Sequence, residues 1–211
     1  MPKGYVTVSE ATTTTLPARR SPFDGHPAGG HPNAAGQTGV RLQAGMLASV
    51  TQVSTWISGV YGLELALADW LGQPAPALTG QTLQTAQGLL MRTGPEEFLL
   101  VAEQADGTLA GLRDSVARDV GSVTDLSHAR CRIRISGEYC LEVLSKLFPV
   151  DLRPAAFPAG QVRLTGHHHV PAALHRTGAQ AFDIYVFTTY ALDQLQALED
   201  AALEYGVAIA V

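Results

Sequence analysis

Apolar positions along the chain fall into two rhythms, one of period two and one of three and four, and their alternation predicts the elements. Leu47, Val50 and Val53 lie in a β-rich stretch, and Val60, Leu63, Leu67, Trp70 and Leu71 follow at helical spacing, with Pro74 and Pro76 expected to stop the helix. Leu89-Leu90-Met91-Arg92-Thr93, then Gly94-Pro95-Glu96-Glu97, then Phe98-Leu99-Leu100-Val101 read as a hairpin. Leu109, Leu112 and Val116 repeat at three and four with Arg113, Asp114 and Arg118 off the stripe, which predicts an amphipathic helix ending near Gly121. The first half therefore reads β-α-β-β-α.

The second half opens on Cys131-Arg132-Ile133-Arg134-Ile135, a strict alternation that buries one face and leaves the arginines wet or paired on the other. Cys140, Leu141, Leu144, Leu147 and Phe148 form a helical stripe that Pro149 ends. Strands are expected at residues 161–165, 169–175 and 182–188, where Phe182, Ile184 and Val186 alternate with Asp183, Tyr185 and Phe187. If the first three face the core, Tyr185 and Phe187 point away from it and need a second layer, such as a helix, or a partner to cover them. Ala191, Leu195, Leu198, Ala202 and Tyr205 define a last helix, with Thr189 as its N-cap and Gly206 beyond its C-terminus. The two halves share an order of elements and little residue identity. The fold class is thus α+β, with halves at 39–121 and 122–211 packed together.

Residues 1–38 are rich in Pro, Gly and Thr and lack either rhythm, so they read as a flexible or extended N-terminal arm. No apolar segment suits a signal peptide or a membrane span, which points to a soluble, cytoplasmic protein. The 211 residues are long enough for a substantial core. With 46% hydrophobic and only 16% charged residues, some apolar surface is expected to meet a partner, either at the hairpin around Gly94-Pro95 or on the outer face of a sheet. A formal charge of −5 without a basic stripe argues against nucleic acid. Cys131 and Cys140 are too few for a disulfide scaffold and read as reduced thiols.

Three local patterns invite a chemical reading. Asp125-Leu126-Ser127-His128 holds the residue types of a hydrolase triad, but near neighbours on one extended segment cannot converge in hydrogen-bond series, so these side chains are expected to organise the entry to the next strand. His167-His168-His169, with His175 downstream, could place two imidazoles on one strand face, yet no Cys, Asp or Glu completes a zinc set; solvent-facing histidines are expected. Gly25-His26-Pro27-Ala28-Gly29-Gly30 lacks the strand before it and helix after it that a phosphate loop requires. No residue is assigned a catalytic, cofactor-binding or metal-ligating role.

The ordered segments Thr93–Val101, Val123–Arg130, Arg132–Gly137, Asp151-Leu152-Arg153-Pro154, Ala156–Gly160 and Phe182–Val186 resemble the gamma-subunit family of heterotetrameric sarcosine oxidases over roughly residues 45–206. The resemblance implies a fold similar to the folate-binding domain of aminomethyltransferases and an accessory role without a cofactor of its own. It implies alpha, beta and delta partner subunits, among which FAD, FMN, NAD and tetrahydrofolate are distributed, and an assembly that demethylates sarcosine to glycine with hydrogen peroxide formation and one-carbon transfer to tetrahydrofolate. A similar small subunit belongs to the methylglutamate dehydrogenase complexes, which is the alternative assembly. A stand-alone folate-binding regulator would carry a Lys-Gly-Cys-Tyr-x-Gly-Gln-type signature, and neither cysteine lies in one; a stand-alone aminomethyltransferase would run on beyond the last helix.

Overall fold

A computed structural model describes residues 19–56, 59–104 and 108–211; the expectations for the threonine-rich start of the chain lie outside the described residues. The strands are β1 (Gly29–His31), β2 (Val40–Met46), β3 (Ser49–Thr55), β4 (Thr82–Thr85), β5 (Gly88–Gly94), β6 (Glu97–Ala102), β7 (Gly121–Asp125), β8 (Arg130–Ser136), β9 (Gln161–His167), β10 (Val170–Gly178), β11 (Ala181–Phe187) and β12 (Val207–Ala210). The helices are α1 (Val60–Leu71), α2 (Thr108–Ser115), α3 (Cys140–Leu147) and α4 (Ala191–Ala202). Two sheets form, in the orders β1-β12-β2-β8-β11-β10-β9 and β4-β5-β6-β3-β7.

Each sheet buries hydrophobic side chains on one whole face and on part of the other, which gives four layers, while β2 turns Arg41 and Gln43 outward on the larger sheet's second face. One face of the larger sheet, carrying Ile133, Ile135, Phe182, Ile184 and Val186, packs under Val143 and Leu144 of α3 and Leu195 and Leu198 of α4. Val53, Leu90, Phe98 and Leu100 of the smaller sheet pack under Leu63 and Leu67 of α1 and Leu112 of α2. The remaining faces meet each other, with Leu47, Val50, Met91, Leu99 and Val101 against Val162, Ala173 and Tyr185. The second layer over Tyr185 is therefore the chain's own smaller sheet and neither a helix nor a partner.

Several boundaries shift for local reasons. Gly72, in the left-handed conformation, accepts the end of α1 two residues before the first proline. Helix α2 stops at Ser115, whose hydroxyl donates back to the Gly111 carbonyl at 2.8 Å, and a turn carries the chain to β7. Thr189 is not an N-cap: it lies inside a 3-10 turn at residues 188–190, and α4 starts without a side-chain cap. Beyond Gly206 the chain continues into β12, parallel to β2. Strand β1 pairs antiparallel with β12, and Phe23 is buried in the core beneath α3 and α4.

The halves are interlocked by exchanged strands. β2 precedes β3 in the chain but pairs antiparallel with β8, whereas β7 precedes β8 and pairs antiparallel with β3. The chain thus crosses between sheets twice, at residues 47–48 and 126–129. The crossings are tied together, because the Val50 amide donates to Ser127 Oγ at 3.0 Å and the Leu126 amide to the Val50 carbonyl at 2.7 Å.

The halves also share more residue identity than the order of elements suggests. Arg92-Thr93-Gly94 and Arg176-Thr177-Gly178 head equivalent hairpins, each followed four residues after its glycine by Phe98 or Phe182. Arg92 is in register with Phe98 and Arg176 with Phe182, and each pair precedes the same one-residue irregularity. The guanidinium carbons lie 5.0 Å and 5.2 Å from the respective ring centroids.

Candidate functional site

Where β3, β5 and β6 face β8–β11, the sheets part at one end to leave a cleft of about 180 Å³. Its apolar wall is made by Leu99, Leu164, Pro171, Tyr185 and Phe187, with Leu164 exposed at the rim. Its polar wall holds Gln52, Thr93, Glu97 and Arg130. Each Glu97 oxygen has a donor: Thr93 Oγ1 to Oε1 at 2.6 Å and Gln52 Nε2 to Oε2 at 2.8 Å. Arg130 is in register with Phe187, and its guanidinium carbon lies 3.6 Å from that ring's centroid. Its Nε is buried with no hydrogen-bond partner among the described residues. Burial lowers the Arg130 pKa, and the charge of Glu97 opposes that shift.

Along the same face, away from the cleft, the arginines of β8 are paired. Arg134 binds Asp183 through two hydrogen bonds, at 2.7 Å and 2.9 Å, and Arg132 pairs with Glu103 across the sheets. Burial pushes the pKa of His175, opposite Asp183 on β10, below its ordinary value.

The sequence motifs take different places. Ser127 Oγ donates to Asp125 Oδ1 at 2.5 Å while its oxygen accepts the Val50 amide, so the hydroxyl belongs to the crossing, and His128 is exposed. The histidine triplet divides. His168 and His169 have φ of 47° and 67° and form the exposed two-residue turn between β9 and β10. His167 and His175 are buried, against the expectation that these histidines face solvent, since both belong to paired strands whose side chains enter the core. His167 Nδ1 is 3.1 Å from Gln194 Oε1 of α4. Among the described residues no group of three or more His, Cys, Asp or Glu gathers around a metal position. Gly29 and Gly30 are in edge strand β1. Cys131 and Cys140 are free and buried, and burial pushes their thiols up to about 12 and about 11. No helix among the described residues is long and apolar enough to cross a membrane.

Reading the sequence did not single out the cleft, because Gln52, Thr93, Glu97 and Arg130 come from four strands of two sheets. The one available signal, Glu97 three residues after Gly94 beside a period-two run, is shared by any hairpin.

No family model matches the chain. The chain is 32% identical over 175 residues to sarcosine oxidase subunit gamma of Arthrobacter sp., covering 82% of this chain and 86% of that one. It is 32% identical over 144 residues to the same subunit of Corynebacterium sp. strain U-96, covering 68% and 70%. The fold superimposes on a chain of heterotetrameric sarcosine oxidase from Corynebacterium sp. U-96, solved with pyrrole 2-carboxylate, with a TM-score of 0.75, 28% identity and coverage of 89% and 96%. Glycine cleavage system aminomethyltransferase T from Bartonella henselae shares the fold, with a TM-score of 0.54 and 15% identity over 82% of this chain and 48% of that one. With a relative at this identity aligned across most of both chains, and its fold matched, the chain belongs to the sarcosine oxidase gamma-subunit family.

Proposed function

We propose that this chain is the accessory gamma subunit of a cytoplasmic heterotetrameric sarcosine oxidase, supplying architecture while oxidation occurs on its alpha, beta and delta partners. The observation that carries the reading is the alignment with sarcosine oxidase gamma subunits over as much as 82% of the chain. In this assembly FAD, FMN, NAD and tetrahydrofolate are held by the partner subunits. Sarcosine is demethylated to glycine with hydrogen peroxide formation, and the one-carbon unit passes to tetrahydrofolate.

The chemistry of this chain's own groups supports an accessory role. Both thiols are buried and held protonated at neutral pH by their raised pKa values. The Ser127 hydroxyl donates to Asp125, a carboxyl that this bond holds below its ordinary pKa and so makes a poor base, and its oxygen is taken by the Val50 amide. The inter-sheet cleft, at about 180 Å³, is smaller than the roughly 300–1,000 Å³ pockets that take drug-sized molecules, and so too small for a flavin or a folate.

Affinity purification of the native protein tests the reading. Flavin-containing chains are expected to accompany it in stoichiometric amount, and the chain freed of them is expected to be colourless. A partner-free chain that retains stoichiometric flavin or oxidises sarcosine by itself would overturn the proposal.

A further inference from the structure

The cleft between the sheets holds a feature that an architectural role does not require. Arg130 is half-buried beside the cleft with its Nε orphaned, and it forms no ion pair or side-chain hydrogen bond among the described residues. Its neighbours on the strand, Arg132 and Arg134, show what this fold does with structural arginines: both are matched to carboxylates. A cation held partly out of water without an anion beside it is costly, and the terminal nitrogens of Arg130, unlike its buried Nε, are left to meet an anion in the cleft.

The group facing that cavity from the other sheet has the opposite sign and is prepared differently. Glu97 is oriented by Thr93 and Gln52, one hydrogen bond to each oxygen. An ionised carboxylate has about four lone-pair positions, so these two bonds fix its plane and leave acceptor capacity free. Glu97 and Arg130 line one small cleft without forming an ion pair with each other, and apolar side chains fill the wall around them. A ligand that satisfies both must carry a carboxylate at one end, a cationic nitrogen at the other and little else, because the volume is about 180 Å³.

We propose that the inter-sheet cleft binds a small zwitterionic α-amino acid, with the carboxylate on Arg130 and the ammonium on Glu97. A guanidinium presents a planar fork that matches a carboxylate, and the Phe187 ring beneath it limits its rotation. The apolar walls, with Leu164 at the rim, exclude water from both ion pairs and strengthen them. The size of the cleft excludes long side chains. The inference does not depend on the assembly proposed above.

Equilibrium dialysis of the purified full-length protein, with whatever chains co-purify, against radiolabelled glycine tests the site. Wild type and Arg130→Met are prepared identically, so label held by any other chain cancels in the difference. Arg130→Met is expected to lose about one equivalent of glycine per copy of this chain, with affinity weakened tenfold or more, while its ligand-free melting temperature changes little, because Arg130 holds no ion pair or side-chain hydrogen bond among the described residues and Met keeps an apolar contact with Phe187. Glu97→Gln is expected to weaken glycine similarly, and acetate or methylammonium alone is expected to displace it poorly. Equal binding by wild type and both variants overturns the proposal, as does the absence of binding to wild type at millimolar glycine. Full displacement by acetate together with normal binding by Glu97→Gln overturns the amino-acid assignment by reducing the site to one for simple anions.

Discussion

Two buried arginines anchor the loops that no regular element holds. Arg176 donates to the carbonyls of Leu152 at 2.9 Å, Phe157 at 2.8 Å, Gly178 at 3.0 Å and Ala179 at 2.6 Å, so one cation ties the segment after α3 to the β10–β11 hairpin. Arg92 does the same in the other half, donating to Pro76 at 3.1 Å, Ala77 at 3.0 Å and Pro95 at 2.7 Å and adding an ion pair with Glu64 at 2.5 Å. Loop carbonyls face the buried side of each half, and a guanidinium has enough donors to satisfy them together. Replacing Arg176 by Met orphans four carbonyls, and we expect a loss of about 3 kcal/mol or more of unfolding free energy in denaturant titrations. His175 contributes through pH. Burial lowers its pKa in the folded state, so the unfolded chain binds the proton more readily and acid favours unfolding. Its contribution is complete above the ordinary histidine value of 6.5 and is lost as pH falls below that toward the depressed folded value. His175→Gln should therefore flatten the decline of melting temperature over that acid window.

At the scale of elements, the C-terminal strand depends on one glycine. Gly206 has φ of 76°, and a Cβ added there would lie 2.0 Å from the Gln37 carbonyl oxygen and 2.7 Å from the Asn33 amide. The Gly206 carbonyl accepts the amides of Gly39 and Val40, which sets the register in which β12 joins β2. Gly206→Ala combines a positive φ with a backbone clash, and a loss of about 2 kcal/mol or more is expected, with early hydrogen exchange confined to β1, β12 and β2. Hairpin and helix existence was legible at this scale because Cys131–Ile135 and Ala191–Tyr205 keep their periods. Strand β12 was not legible: Val207-Ala208-Ile209-Ala210 is too short and too uniformly apolar to show a period.

At the scale of the whole molecule, the exchange of β2 and β7 makes each sheet depend on a strand from the other half. Neither sheet can be completed by its own half, and the face between them, with Tyr185 packed against Leu47, Val50 and Met91, is buried only when both are present. The protein is expected to unfold in one transition. Both tryptophans, Trp56 and Trp70, precede residue 121, so fluorescence reports on the first half while far-ultraviolet circular dichroism reports on both. The two denaturation curves should coincide, and separated midpoints would show that the interlock does not couple the halves.

The α+β class, the helices and most strands were legible in the order of residues, because burial on one side of an element imposes a period that a single chain displays. The ordered segments from Thr93 to Val186 carried the family as well. The rest follows from how the elements pack in space. The coincidence of Arg92-Thr93-Gly94 with Arg176-Thr177-Gly178 acquires meaning once both arginines are seen holding loop carbonyls over equivalent phenylalanines. The burial of His167 and the turn at His168-His169 depend on the pairing of β9 with β10. The cleft of Glu97 and Arg130 exists because two sheets meet face to face, and a juxtaposition across sheets leaves no period, spacing or neighbour in the chain that carries it.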